Sequence, residues 1–150
     1  MSYDLRDHTA DVAVEATAGT LAGVFAAVAD GLTAASAESV PSDGERFELA
    51  VAAESREALL FDYLDQLIYE RDVRLVLPAE HRCTVVEPGE AGEGDRADAE
   101  ADSGEWRLTA TARGVPLDAV VAREIKAVTY SEMTLERRED GWYAYVVFDV

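Results

Sequence analysis

The chain has 150 residues, the size of one domain, and its apolar share of 49% is sufficient for a single core. Against 13 basic residues stand 31 acidic ones, a net charge of -18, which excludes the broad basic surface that sequence-independent phosphate neutralisation requires. Cys83 stands alone, which excludes an internal disulfide or a cysteine-based metal cluster, and no apolar run approaches the roughly 18 residues of a membrane span.

The N-terminus, MSYDLRDH, has neither the basic nor the apolar region of a signal peptide, so a cytoplasmic protein without a membrane anchor is expected. The basic residues are arginines apart from Lys126. Such a surface stays hydrated at high ionic strength, where its self-repulsion is screened within a few ångströms, and it describes a salt-adapted habitat better than a function. Any link to nucleic acid is then expected to go through a partner, not through direct sequence-specific binding.

In chain order, residues 12–16 alternate as a strand, with Val12 and Val14 on one face and Glu15 on the other. Gly19-Thr20 opens a helix over Leu21 to about Ala35, where Leu21, Val24, Phe25, Val28 and Leu32 form one apolar stripe. After a loop at Pro41 to Gly44, the alternation of Phe47, Leu49 and Val51 predicts a second strand. Ser55-Arg56-Glu57 starts a second helix with the stripe Leu59, Leu60, Tyr63, Leu64, Leu67 and Ile68, ending at Glu70-Arg71-Asp72.

Two short strands are predicted at Arg74–Leu77 and Cys83–Val86, with Cys83 serving packing. Residues 88–104 are poor in apolar side chains and read as a flexible acidic excursion. Strands follow from Trp106 through the Thr-Ala-Thr run, at Ile125–Val128, at Met133–Arg137 and at Trp142–Val150, with Asp140-Gly141 as the last hairpin turn. Two helices and seven or eight strands predict a single α+β domain over residues 1–150, its helices packed on one face of a largely antiparallel sheet.

Chemistry concentrates at three places. In Asp7-His8-Thr9-Ala10-Asp11, two carboxylates and an imidazole crowd the turn into the first predicted strand, and oxygen ligands of this kind suit calcium, magnesium or manganese. The plainer alternative is that Asp7 and Thr9 organise a turn while His8 is a hydrogen-bonded filler. At the other end, the β-prone run Trp142–Phe148 stops at Asp149-Val150, where a side-chain carboxylate sits beside the α-carboxylate. A frayed end is the alternative. If this position neighbours Asp11, several negative groups meet and need a cation to neutralise them. Thirdly, Lys126 is predicted to lie within a strand, where a site demanding a compact ammonium would resist replacement by arginine; a chance survivor is the alternative.

Together, DHTADV (Asp7–Val12), IKAVTY (Ile125–Tyr130) and VVFDV (Val146–Val150) resemble the signature blocks of the archease family, in that order and from end to end of the chain. The chain departs from the pattern at Ser131, where the family commonly has histidine. The resemblance implies an archease-like α+β fold and a role as activator of the RtcB-type RNA ligase of tRNA splicing. That ligase joins RNA ends through a guanylylated histidine, using GTP and manganese, and the helper promotes guanylylation and multiple turnover without itself being an enzyme. By matching motif, Asp11 and Asp149, with Val150 through main-chain oxygens, hold a divalent metal ion, often calcium, with manganese or magnesium as alternatives. Asp7, His8 and Lys126 then line the same edge, and no residue is assigned a catalytic role. Two other classes fit clustered carboxylates or a small domain: an autonomous metal-dependent phosphoester hydrolase and a metal-free, chaperone-like binding module. Against the hydrolase, the chain has no HExxH motif, GxSxG elbow or phosphate-cradling glycine loop.

Overall fold

Thr20 and Ser55 decide where the two helices begin. In a computed structural model that describes residues 2–7, 11–89 and 105–150 (4–7 by backbone alone), both residues are extended and turn their hydroxyls inward as N-caps. Thr20 accepts from the Gly23 amide at 3.0 Å and Ser55 from the Ala58 amide at 3.1 Å, each satisfying a donor that has no partner within its helix. Helix α1 spans Leu21–Ser36 and α2 spans Arg56–Arg74. The predicted 88–104 excursion lies almost entirely outside the described residues, as does His8.

Helix α2 runs past its predicted end. Glu70 accepts a 2.6 Å hydrogen bond from Arg74, one turn later, and Leu75 closes the helix in the left-handed region at φ 58°. Arg74 is therefore the last helical residue and not the first of a strand.

Seven strands complete the described fold: β1 Ser2–Asp7, β2 Asp11–Ala18, β3 Glu45–Ala53, β4 Val76–Val86, β5 Trp106–Pro116, β6 Ala127–Arg138 and β7 Gly141–Asp149. All pair antiparallel, which bears out the α+β reading. The strands form two sheets where one was expected, ordered β1-β2-β7-β6 and β3-β5-β4. Helix α1 packs on β2 and β4 and α2 on β3 and β6, so each helix touches both sheets. The main core lies between, built from Val12 and Val14 of β2, Phe25 and Val28 of α1, Leu60 and Tyr63 of α2, and Val146 and Phe148 of β7.

Two pairs of predicted strands are single bulged strands. In β4 the register slips by a residue between Ala79 and Arg82, with Glu80 at φ 53°. The extra residue lets one strand serve two cores: Leu77 and Ala79 join a small cluster with Ala37 and Val115, whereas Cys83 and Val85 face the main core. There the Cys83 thiol donates to the Tyr63 hydroxyl at 3.3 Å, and burial pushes its pKa up to about 11. In β6, residues 130–133 stand opposite Val146 alone, because Thr129 pairs with Val147 and Thr134 with Tyr145. Alternation fails across such bulges, and a reading by period breaks the strand there.

The last hairpin is displaced by one residue from its predicted turn. Arg138 pairs with Gly141, leaving Glu139-Asp140 as the two-residue loop. Strand β1 went unpredicted, since SYDLRD carries only Tyr3 and Leu5 as apolar alternation.

Candidate functional site

Pairing of β2 with β7 runs without interruption from Ala18–Trp142 to Asp11–Asp149. Directly opposed residues leave a sheet on the same face, their Cβ atoms about 5 Å apart. Since Val12 and Phe148, one step further along, are core residues, Asp11 and Asp149 share the face turned away from the helices. On the other side of Asp149 stands Ala127 of β6, whose small side chain leaves room beside the carboxylate. The next row on this face is Ala13, Val147 and Thr129, and both Ala13 and Val147 are buried. The two carboxylates therefore border apolar surface, where charge interactions are strong.

Further along, Tyr143 donates a 2.8 Å hydrogen bond to the Glu15 carboxylate. Burial, with that bond second, pushes the Tyr143 phenol up to about 12.

Asp11 is half-buried, and its Oδ1 is buried with no hydrogen-bond partner among the described residues. An ionised oxygen in that position is expensive, and a like charge directly opposite adds to the cost. A divalent cation between the two carboxylates would offset both, and two carboxylates with main-chain oxygens are the donor set of a hard cation. Among the described residues no group of three His, Cys, Asp or Glu side chains makes a complete cage, so main-chain oxygens would have to supply part of the shell.

Of the other predicted site residues, Val150 is half-buried and packs against the main core. Asp7 ends β1 opposite Val12, one register position from Asp11. Lys126 does not lie within a strand as predicted: it immediately precedes β6, is exposed, and its amide donates to the Asp149 carbonyl at 2.8 Å. Sequence reasoning missed Ala127 as the neighbour of Asp149; the available signal was that IKAVTY and VVFDV are both strand-like and could pair.

Comparison with known proteins agrees with this architecture. The sequence model of the archease protein family (MTH1598/TM1083) matches residues 3–150. Protein archease of Methanosarcina barkeri is 31% identical over 153 residues, covering 99% of this chain and 95% of the relative. That of Pyrococcus furiosus is 27% identical over 150 residues, covering 96% and 95%. The solution structure of protein 1598 of Methanobacterium thermoautotrophicum superposes with a TM-score of 0.73 at 25% identity, covering 99% of this chain and 98% of the other. A crystal structure from Thermotoga maritima, described as an archease and possible chaperone, shares the fold with a TM-score of 0.60 at 23% identity over 97% and 94% of the two chains. Matched along essentially its whole length, this chain belongs to the archease family.

Proposed function

We propose that this chain activates an RtcB-type RNA ligase of tRNA splicing in the cytoplasm, promoting guanylylation of the ligase by GTP and multiple turnover through a carboxylate cation site. The observation that carries the reading is the direct opposition of Asp11 and Asp149, with one Asp11 oxygen buried and unpartnered among the described residues. Asp11 and Asp149, with main-chain oxygens of Val150, would hold calcium, manganese or magnesium, and Asp7 and His8 belong to the same end of the sequence motif. Such a cation supplies positive charge that neutralises or orients phosphate oxygens. The chain's own residues do the positioning. The Lys126 backbone is tied to Asp149, so its ammonium is tethered at the same edge, where it can meet a phosphate or a carboxylate of the partner. Covalent chemistry stays with the ligase, and the helper is not itself an enzyme.

The test adds Asp11→Ala, Asp149→Ala and Lys126→Ala proteins to the cognate ligase with limiting GTP and substrate RNA in excess. At least about a tenfold loss of stimulation is expected for each carboxylate variant, since even the outer-shell partners of a metal ligand typically cost that much when mutated. Full stimulation by all three would refute the assignment. Hydrolysis of phosphoester substrates by the purified chain would instead favour a metal-dependent hydrolase.

A further inference from the structure

Tyr69, Val73 and Leu75 leave 58%, 57% and 67% of their surfaces exposed, and Tyr130 of β6 leaves 54%. Four of the six exposed large hydrophobic residues among those described thus lie on or beside one helix. Their spacing is ordered. Phe61, Asp65, Tyr69 and Val73 recur every four residues, forming one row along α2 about 18 Å long. Tyr130 extends the row sideways, its ring stacked on Phe61 with centroids 4.2 Å apart and planes 5° from parallel. A bulge holds it there, with Glu132 in the left-handed region at φ 61°.

The Phe61 end of this row lies beside the segment that leads into the candidate cation site, while Tyr69 and Val73, two residues either side of Arg71, face away from it. Arg71 of α2 donates to the Arg123 carbonyl at 2.9 Å, and Phe61, ten residues nearer the helix N-terminus, meets Tyr130, so α2 and residues 123–130 lie side by side. Lys126 falls between these two contacts, and Tyr130 is about 10 Å along β6 from Ala127, which pairs with Asp149.

The rim of the row is acidic. Asp62, Asp65 and Asp72 are exposed on α2. Partial burial raises the Tyr130 phenol pKa, and the nearby Asp62, Glu54 and Glu57 carboxylates raise it further. Asp62 is itself raised, by burial and then by Asp65.

We infer that the Phe61–Tyr69–Val73 row, with Tyr130, is a docking surface for a basic, partly apolar protein surface, and that its occupant is the ligase of the proposed function. The inference rests on that reading and names the surface by which the partner would be held over the cation site. Charge complementarity selects the occupant: an enzyme that grips RNA presents arginine and lysine, whose guanidinium and ammonium groups stack on exposed tyrosine and pair with the flanking carboxylates. Apolar residues inside an acidic rim have the anatomy of an interface, an anchor cluster surrounded by polar groups.

The experiment titrates the cognate ligase with the wild-type chain, with a Tyr69→Ala, Tyr130→Ala double variant and with an Asp62→Lys, Asp65→Lys double variant. Thermal unfolding and a calcium titration are recorded on each chain alone. Binding weaker by at least about tenfold is expected for both variants, with the charge reversal losing more at low than at high salt, while calcium binding is unchanged. The reversal leaves the Phe61–Tyr130 stack intact and keeps the test valid if the aromatic variant is destabilised. Wild-type binding with both variants within about twofold of it would overturn the docking surface and leave the proposed function standing. A wild-type chain that neither binds nor stimulates the ligase would overturn both.

Discussion

Nε2 of His81 lies 2.9 Å from the hydroxyl of Thr33, and this contact fastens the bulge of β4 to the last turn of α1. The Thr33 proton is directed at a carbonyl, Pro78 at 2.8 Å or Ala29 at 3.2 Å, so the hydroxyl oxygen accepts and His81 carries its proton on Nε2. Nδ1 is left buried without a partner among the described residues. Burial first, and then the Arg46 charge, lower the ring's pKa from 6.5 to about 3, with the Pro78 carbonyl acting the other way.

An acid-sensitive fold follows. The unfolded chain takes up a proton on His81 near pH 6.5 while the folded chain resists until about pH 3, so stability is lost as pH falls through that window. The full effect is on the order of 5 kcal/mol. Asp30, whose carboxyl accepts from the His81 amide at 3.2 Å, is raised by burial and works in the opposite direction just above its ordinary value, where the folded chain takes up that proton before the unfolded one. Urea unfolding between pH 7 and pH 4 should show falling stability in the wild type and a flatter profile in His81→Gln. Parallel profiles would contradict this account of the buried ring.

Gly141→Ala should unfold the last hairpin's junction with β2. Gly141 has φ 146°, and a Cβ added there would lie 2.2 Å from the Ala18 carbonyl oxygen, a backbone atom that cannot swing aside. A loss of more than about 2 kcal/mol is expected in denaturant unfolding, combining the unfavourable backbone conformation with the clash. A loss below about 0.5 kcal/mol would mean that the turn is arranged differently.

Ionic strength should stabilise the protein strongly. With a net charge of -18, self-repulsion opposes the compact state, and added salt shortens its range from about 10 Å at 0.1 M to about 3 Å at 1 M. The thermal midpoint should climb steadily from about 0.1 to about 2 M sodium chloride. A flat response would argue against the salt-adapted reading of the composition.

Helices and uninterrupted strands were legible because burial imposes a period on them: the stripes of α1 and α2 and the alternation of β2 and β3 reappear in the core almost residue for residue. What could not be read was set by long-range register. Nothing near Pro78 announces that β4 turns Leu77 to one cluster and Cys83 to another. Spacing along α2 already sets Phe61 and Tyr69 apart from the predicted stripe, but only the packing shows Phe61 half-buried against the core and stacked on Tyr130 while Tyr69 stays exposed. Of the candidate site, the residue types were visible at both ends of the chain, whereas the opposition of Asp11 and Asp149 comes from the β2–β7 pairing.

The central claim is that these two carboxylates share a cation, and thermal unfolding with and without calcium or manganese, at constant ionic strength, tests it directly. Saturation to about 100 times the dissociation constant should stabilise the wild type by about 2.7 kcal/mol, a rise of roughly 5 to 10 °C for a chain of this size. Asp11→Asn should lose that rise and, without cation, should unfold no earlier than the wild type, because one of two directly opposed like charges has been removed. An equal cation-induced rise in wild type, Asp11→Asn and Asp149→Asn would contradict the account.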